Sequence, residues 1–199
     1  LAFFLNIYHV MIMHAFLVLG KPDSSLKWLS YFTNIAYQCA DDIFSLAELE
    51  HNIIRAHMSY PSQFLSRFVL PKSYYHFALT KPEIRINFAL NCGSLSIPTS
   101  SVPLYIPAQL EEQLERVTRA FLAGSVSVKP RGLRDAFVSL PRVLQWYADD
   151  FGDGGTSDIL KQIEPYLDVE QQQYLKRLWN ERKQIYDIGI WNVKFLAYS

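Results

Sequence analysis

The chain has 199 residues, half of them hydrophobic and 15% aromatic, so it can bury a sizeable core and is not a disordered segment. Lys+Arg and Asp+Glu balance at 19 each, and this zero formal charge leaves no electrostatic footprint for nucleic acid or an anionic membrane. Only Cys39 and Cys92 are cysteines, which is no disulfide framework and fits a reducing compartment such as the cytoplasm.

The first segment, residues 1–19, is apolar and of borderline length for a membrane span. Asn6, His9 and His14 fall within less than half of a helical wheel, and polar groups at bilayer depth are costly. No basic region precedes the run as in a signal peptide. The expectation is a helix buried on most sides, with a polar stripe facing a cleft, and no membrane span. Leu1 already stands inside the apolar run, which points to a segment of a larger protein.

Gly20 to Ser25 carries turn chemistry, and residues 26–42 are aromatic with mixed period. Ser45 with Glu48 predicts a capping box opening a helix to His57. Leu46, Leu49 and Ile53 take one face of it; Glu48, His51, Asn52 and Arg55 take the other. Pro61, Pro71 and Pro82 then punctuate short helices and loops.

Ile84, Ile86, Phe88 and Leu90 are apolar at every second position, which predicts a strand with one buried face. It runs into Asn91-Cys92-Gly93-Ser94, a turn cluster holding a thiol. Pro98 and Pro103 predict an extended loop. Pro107 with Glu111 and Glu112 opens a helix ended by Gly124, with Leu110, Leu114, Val117 and Phe121 as its apolar stripe. Short strands are expected at 125–128 and 136–138. Helices follow from Ser139 to Phe151, from Ser157 to Leu167 with Pro165 near its end, and after the cap Asp168. Residues 185–193 read as a closing strand. The fold class is α+β, helix-rich, around one small sheet, with residues 1–199 as one domain.

Cys92 has two readings. It is a nucleophile at a strand end, with His51 as base and Asn6 or Asp187 orienting that base, or it is a small buried hydrophobe. Glu48, His51 and Arg55 likewise form either a face that positions an acyl or phosphoryl group or a solvated face with weak ion pairs. The five histidines make no i,i+4 pair and no HExxH, so no metal is expected. No Walker loop, dinucleotide fingerprint or GxSxG is present, so no nucleotide cofactor is expected. Asp149, Asp150, Asp153 and Asp158 make a local acidic cluster that departs from the calcium-loop pattern.

Taken in order, Asn6-x-Tyr8 with His14, Phe44-Ser45-Leu46-x-x-Leu49-Glu50-His51-x-x-x-Arg55, Asn87-Phe88-Ala89-Leu90-x-Cys92-Gly93-Ser94 with Pro98, and Trp146-Tyr147-x-x-Asp150-Phe151 resemble the family called domain of unknown function 547, DUF547. The resemblance runs from Phe3 to about Trp191. It implies a shared polar site made of Asn6, Tyr8, Glu50, His51, Arg55 and Cys92, loosely similar to papain-like or transglutaminase-like thiol enzymes. Two departures stand out. Ile97 replaces a second Cys found in many members, and Ile188 follows Tyr186-Asp187 where bacterial members have Trp. The leading expectation is a regulatory or protein-interaction domain of a larger intracellular protein, bound to protein partners or neighbouring domains. The alternative is a thiol hydrolase or acyltransferase using Cys92 and His51.

Overall fold

The computed structural model describes residues 1–62, 70–93, 101–131, 135–182 and 191–196. Helix α1 (Ala2–Leu19) is followed by α2 (Ser25–Asn34), whose Ser24 side chain accepts the Lys27 amide as a cap. A two-stranded antiparallel hairpin comes next, β1 (Ala36–Cys39) and β2 (Asp42–Ser45), turning at Ala40 with φ 54°. The mixed period of residues 26–42 thus hides a helix and a hairpin. The expected capping box is present at Ser45, opening α3 (Leu46–Glu48). From there the backbone widens into a π-helix, Leu49–Ile54, in which the Arg55 amide bonds the Glu50 carbonyl at 2.8 Å.

Residues 84–90 correct the strand expectation. The segment is a turn leading into a four-residue helix, α4 (Ile86–Ala89). The Glu83 carboxylate accepts the Arg85 amide at 3.1 Å and starts that turn. All four helical residues are buried, each toward a different neighbour. Ile86 joins the core formed with α1, α2 and the π-helix, and Phe88 joins the core formed with the C-terminal helices. Ala89 packs with Ala2, Leu5, Tyr105 and Leu114, while Asn87 enters a polar network. Alternation signals a strand only when one face is wet; here every side is covered, so tertiary packing sets the backbone.

Pro107 opens a 3-10 turn (Pro107–Gln109) that continues as α5 (Leu110–Ser125), one residue beyond Gly124. Strands β3 (Ser127–Arg131) and β4 (Asp135–Pro141) pair antiparallel, and β4 pairs parallel with β5 (Trp191–Leu196). Among the described residues the β-structure therefore lies in two small sheets rather than one around Ile84. Between β4 and β5 run α6 (Arg142–Trp146), a 3-10 turn (Ala148–Phe151), α7 (Thr156–Ile163) with a 3-10 extension (Glu164–Tyr166), and α8 (Val169–Arg182). Asp168 caps α8 through the Gln171 amide at 2.8 Å, as its sequence predicts. The architecture is helix-rich α+β. The predicted strand over 185–193 falls largely on residues outside those described, as do Asp187, Ile97 and Pro98.

Helix α1 is less covered than expected. Leu5, Tyr8, Met11 and Ile12 are in the core, but Leu17, Val18 and Leu19 are 84%, 64% and 56% exposed. By length and composition alone α1 is apolar enough to cross a membrane, and 39% of it is buried inside the protein.

Candidate functional site

The site is built where α1, the π-helix, α4 and the turn after Tyr147 converge. Two short struts tie α1 to neighbouring segments of the chain. Asn6 clasps the backbone of Tyr105, donating to its carbonyl at 2.9 Å and accepting its amide at 2.8 Å. His9 stacks on the Tyr105 ring, and its Nε2 accepts the Asn91 amide at 3.1 Å. Accepting through Nε2 requires that nitrogen to be unprotonated. Burial also opposes the imidazolium and lowers the His9 pKa to about 4. Next along the chain, the Asn91 side chain accepts the Gly93 amide at 2.9 Å, closing a tight turn around Cys92. Gly93 has φ +75°, and a Cβ there would stand 2.7 Å from the Phe16 ring, so the turn needs glycine twice over.

The polar centre has two buried carboxylates. Glu50 accepts the Tyr8 hydroxyl at 3.0 Å and the Tyr147 hydroxyl at 3.2 Å. Asp150 accepts Arg55 Nη2, the Asn87 amide group at 3.0 Å and the Ser59 backbone amide at 2.7 Å. Arg55 also donates to the Asn87 carbonyl oxygen at 2.8 Å, and its guanidinium lies 3.7 Å over the Tyr147 ring. The Tyr8 pKa is pushed well above its usual value by burial and by the negative charge of Glu50.

The geometry comes from the π-helix. Its i→i+5 bond brings Glu50 and Arg55 to one cavity wall, five residues apart. A regular helix would have grouped Glu48, His51 and Arg55, the face read from spacing. Instead Glu48 stays at the cap, bonded to Ser45. His51, Asn52 and Arg55 are 4%, 5% and 2% exposed, so they form no solvated face.

A partly open cavity borders this network, with room of about 60 Å³ for the centres of water molecules, enough for several. Tyr8, Glu50, Arg55, Asn87 and Cys92 supply its polar wall; Ile86, Leu90, Phe121 and Val143 supply the apolar one. Of the residues expected at a site, Tyr8, Glu50, Arg55 and Cys92 thus meet in one cavity. Asn6 and His51 do not line it. The His51 ring is stacked between Tyr60 and Tyr147, edge-on to Phe32, with Nε2 3.8 Å from Glu50. Burial and then the Arg55 charge lower its pKa to about 4, against the pull of Glu50, so it is neutral at pH 7.

Asn87, Tyr147 and Asp150 are site residues that reasoning from spacing missed. Asp150 reads locally as one of an acidic cluster, and Asn87 as the polar side of a strand. The available signal was the resemblance described above, whose motif stretches include all three. Among the described residues no group of three His, Cys, Asp or Glu could hold a metal ion.

Two histidines buried neutral make stability depend on pH. Their ordinary value near 6.5 applies to the unfolded chain, which therefore binds protons that the folded chain refuses between pH 6.5 and 4. Stability is then full above about pH 6.5 and falls as pH drops through that window, by up to about 3 kcal/mol for each histidine. The urea midpoint should fall between pH 7 and pH 5, and His51→Gln should shallow that dependence by about one proton. A midpoint that does not move over this range contradicts the assignment.

Comparison with known proteins bears on what this site belongs to. The sequence model of the family described as "Protein of unknown function, DUF547" matches residues 1–122, a shorter span than the motifs alone suggested. No curated protein and no solved structure matches the chain. The matched span holds Tyr8, Glu50, His51, Arg55, Asn87 and Cys92, so most of the cavity wall lies inside it. With more than half of its residues matched, the chain belongs to the DUF547 family of proteins of unknown function.

Proposed function

We propose that this is a regulatory, protein-interaction domain of a larger intracellular protein, in which a small molecule held in the polar cavity governs how α1 is presented to a partner. One observation carries the reading. Tyr8 of α1 is a wall of the cavity, while Leu17, Val18 and Leu19 of the same helix stand in solvent, and Leu26 of α2 is 81% exposed. Burying such side chains stabilises a complex by roughly 1.5–3 kcal/mol each at most. Three consecutive exposed apolar residues at the end of a helix support an interaction surface there. No Asp, Glu, Lys or Arg occurs between residues 1 and 20, so the matching partner is a protein surface lined by apolar side chains, not nucleic acid or an acidic peptide. Asn6, Tyr8 and His9 bind the rest of the fold, which supports α1 as a core helix rather than a membrane span. Neither cysteine forms a disulfide, in keeping with the cytoplasm.

The second reading is a papain-like or transglutaminase-like thiol hydrolase or acyltransferase, with Cys92 as nucleophile and His51 as base. The presence of Cys92 in the cavity beside Tyr8 and Glu50 favours it. The position of His51 disfavours it, because that ring is wedged among aromatics behind Glu50 and does not itself line the cavity.

Both readings have direct tests. A photo-cross-linking amino acid at position 17 of the full protein, in the cells that make it, should give a discrete protein adduct that Leu26→Asp abolishes. Adducts with lipid alone, or none, would sink the interaction reading. With iodoacetamide near neutral pH, the interaction reading predicts that Cys92 is alkylated no faster than the exposed Cys39. Faster alkylation of Cys92, slowed by His51→Ala, would transfer the case to the thiol enzyme.

A further inference from the structure

The charges around the cavity do not balance. Asp150 and Arg55 are paired with each other, and Asn87 and the Ser59 amide add further bonds, although Arg55 Nε has no hydrogen-bond partner. That leaves Glu50, whose hydrogen bonds come from two neutral phenols. Among the described residues the basic side chain within 4 Å of it is His51, with Nε2 at 3.8 Å on a ring that is neutral at pH 7. The Glu50 side chain is 11% exposed, and it lines the cavity. A carboxylate in a low-dielectric wall attracts a cation more strongly than it would in water.

From this imbalance we infer that the cavity is a binding site for a primary ammonium group on a short alkyl stem, with Glu50 as its counter-ion. The head group is an ammonium because the space holds only a few atoms and a compact donor can reach the carboxylate. The stem is alkyl because the opposite wall is Ile86, Leu90, Phe121 and Val143. The Tyr8 hydroxyl, which already donates to Glu50, keeps its oxygen lone pairs for a donor on the ligand. Arg55 does not compete for Glu50, since it is held against Asp150 and Asn87 and stacked on Tyr147. The same chemistry is met by a free small amine or by the end of a lysine side chain. This inference rests on the reading of the cavity as a ligand site and is separate from the contact made by Leu17.

Titration of the protein at pH 7 with n-propylammonium, 1-propanol and propionate, followed by amide NMR shifts at Tyr8, Asn87 and Cys92, tests it. The ammonium should bind at least about tenfold more tightly than either analogue, and Glu50→Gln should weaken it by about tenfold or more. If Glu50→Gln does not fold, the charge series on the unaltered protein decides. Equal or tighter binding of propanol or propionate overturns the ammonium assignment while keeping the cavity as a ligand site. Binding of none of the three overturns both, and the position-17 cross-link stands or falls independently. A fourth probe, Nα-acetyl-lysine methylamide, separates the sources: its binding supports a lysine side chain, and its exclusion supports a free amine.

Discussion

The buried pair of Arg55 and Asp150, with Asn87 bonded to both, is the constraint on which the rest of the structure depends. The two charged side chains are 1% and 2% exposed. Taking them out of water costs several kcal/mol per ion, and only near-complete hydrogen bonding recovers that. Asp150 has three donors, Arg55 and Ser59 from one segment and Asn87 from another. Arg55 has two hydrogen-bonded partners and an aromatic face beneath it. Such a network is satisfied in one arrangement only, so it fixes the register of elements that apolar packing alone would leave free to slide.

Those elements are the walls of the cavity. Helix α4 is the keystone: its four residues reach three apolar clusters and the polar network at once. The π-helix turns Glu50 and Arg55 toward the same space, and α1 closes it with Tyr8. The lining comes from five elements, α1, the π-helix, α4, α5 and α6, so a ligand there would meet walls that are already folded, with little ordering entropy to oppose it.

What the sequence revealed and what it hid follow one division. Features set by neighbours in the chain were legible: α1, the Ser45 capping box, the Pro107 start, the Asp168 cap and the Gly93 turn. Features set by distant contacts were not. Residues 84–90 alternate in polarity, yet Asn87 is polar for Arg55 and Asp150, not for water. The widened turn from Leu49 to Ile54 leaves no mark in apolar spacing, so Glu48, His51 and Arg55 were grouped and Glu50 was placed only by family resemblance. Asp150 lies 95 residues from its partner Arg55, and nothing local distinguishes it from Asp149.

A double-mutant cycle on Arg55 and Asp150, read by urea unfolding at pH 7, tests the central claim most directly. Arg55→Met and Asp150→Ala should each destabilise the fold by about 3–5 kcal/mol, because each strands a buried charge. The double variant should lose far less than the sum, leaving a coupling of at least about 1 kcal/mol. Single losses under about 1 kcal/mol that simply add would contradict the account, because the pair would then be an ordinary surface contact.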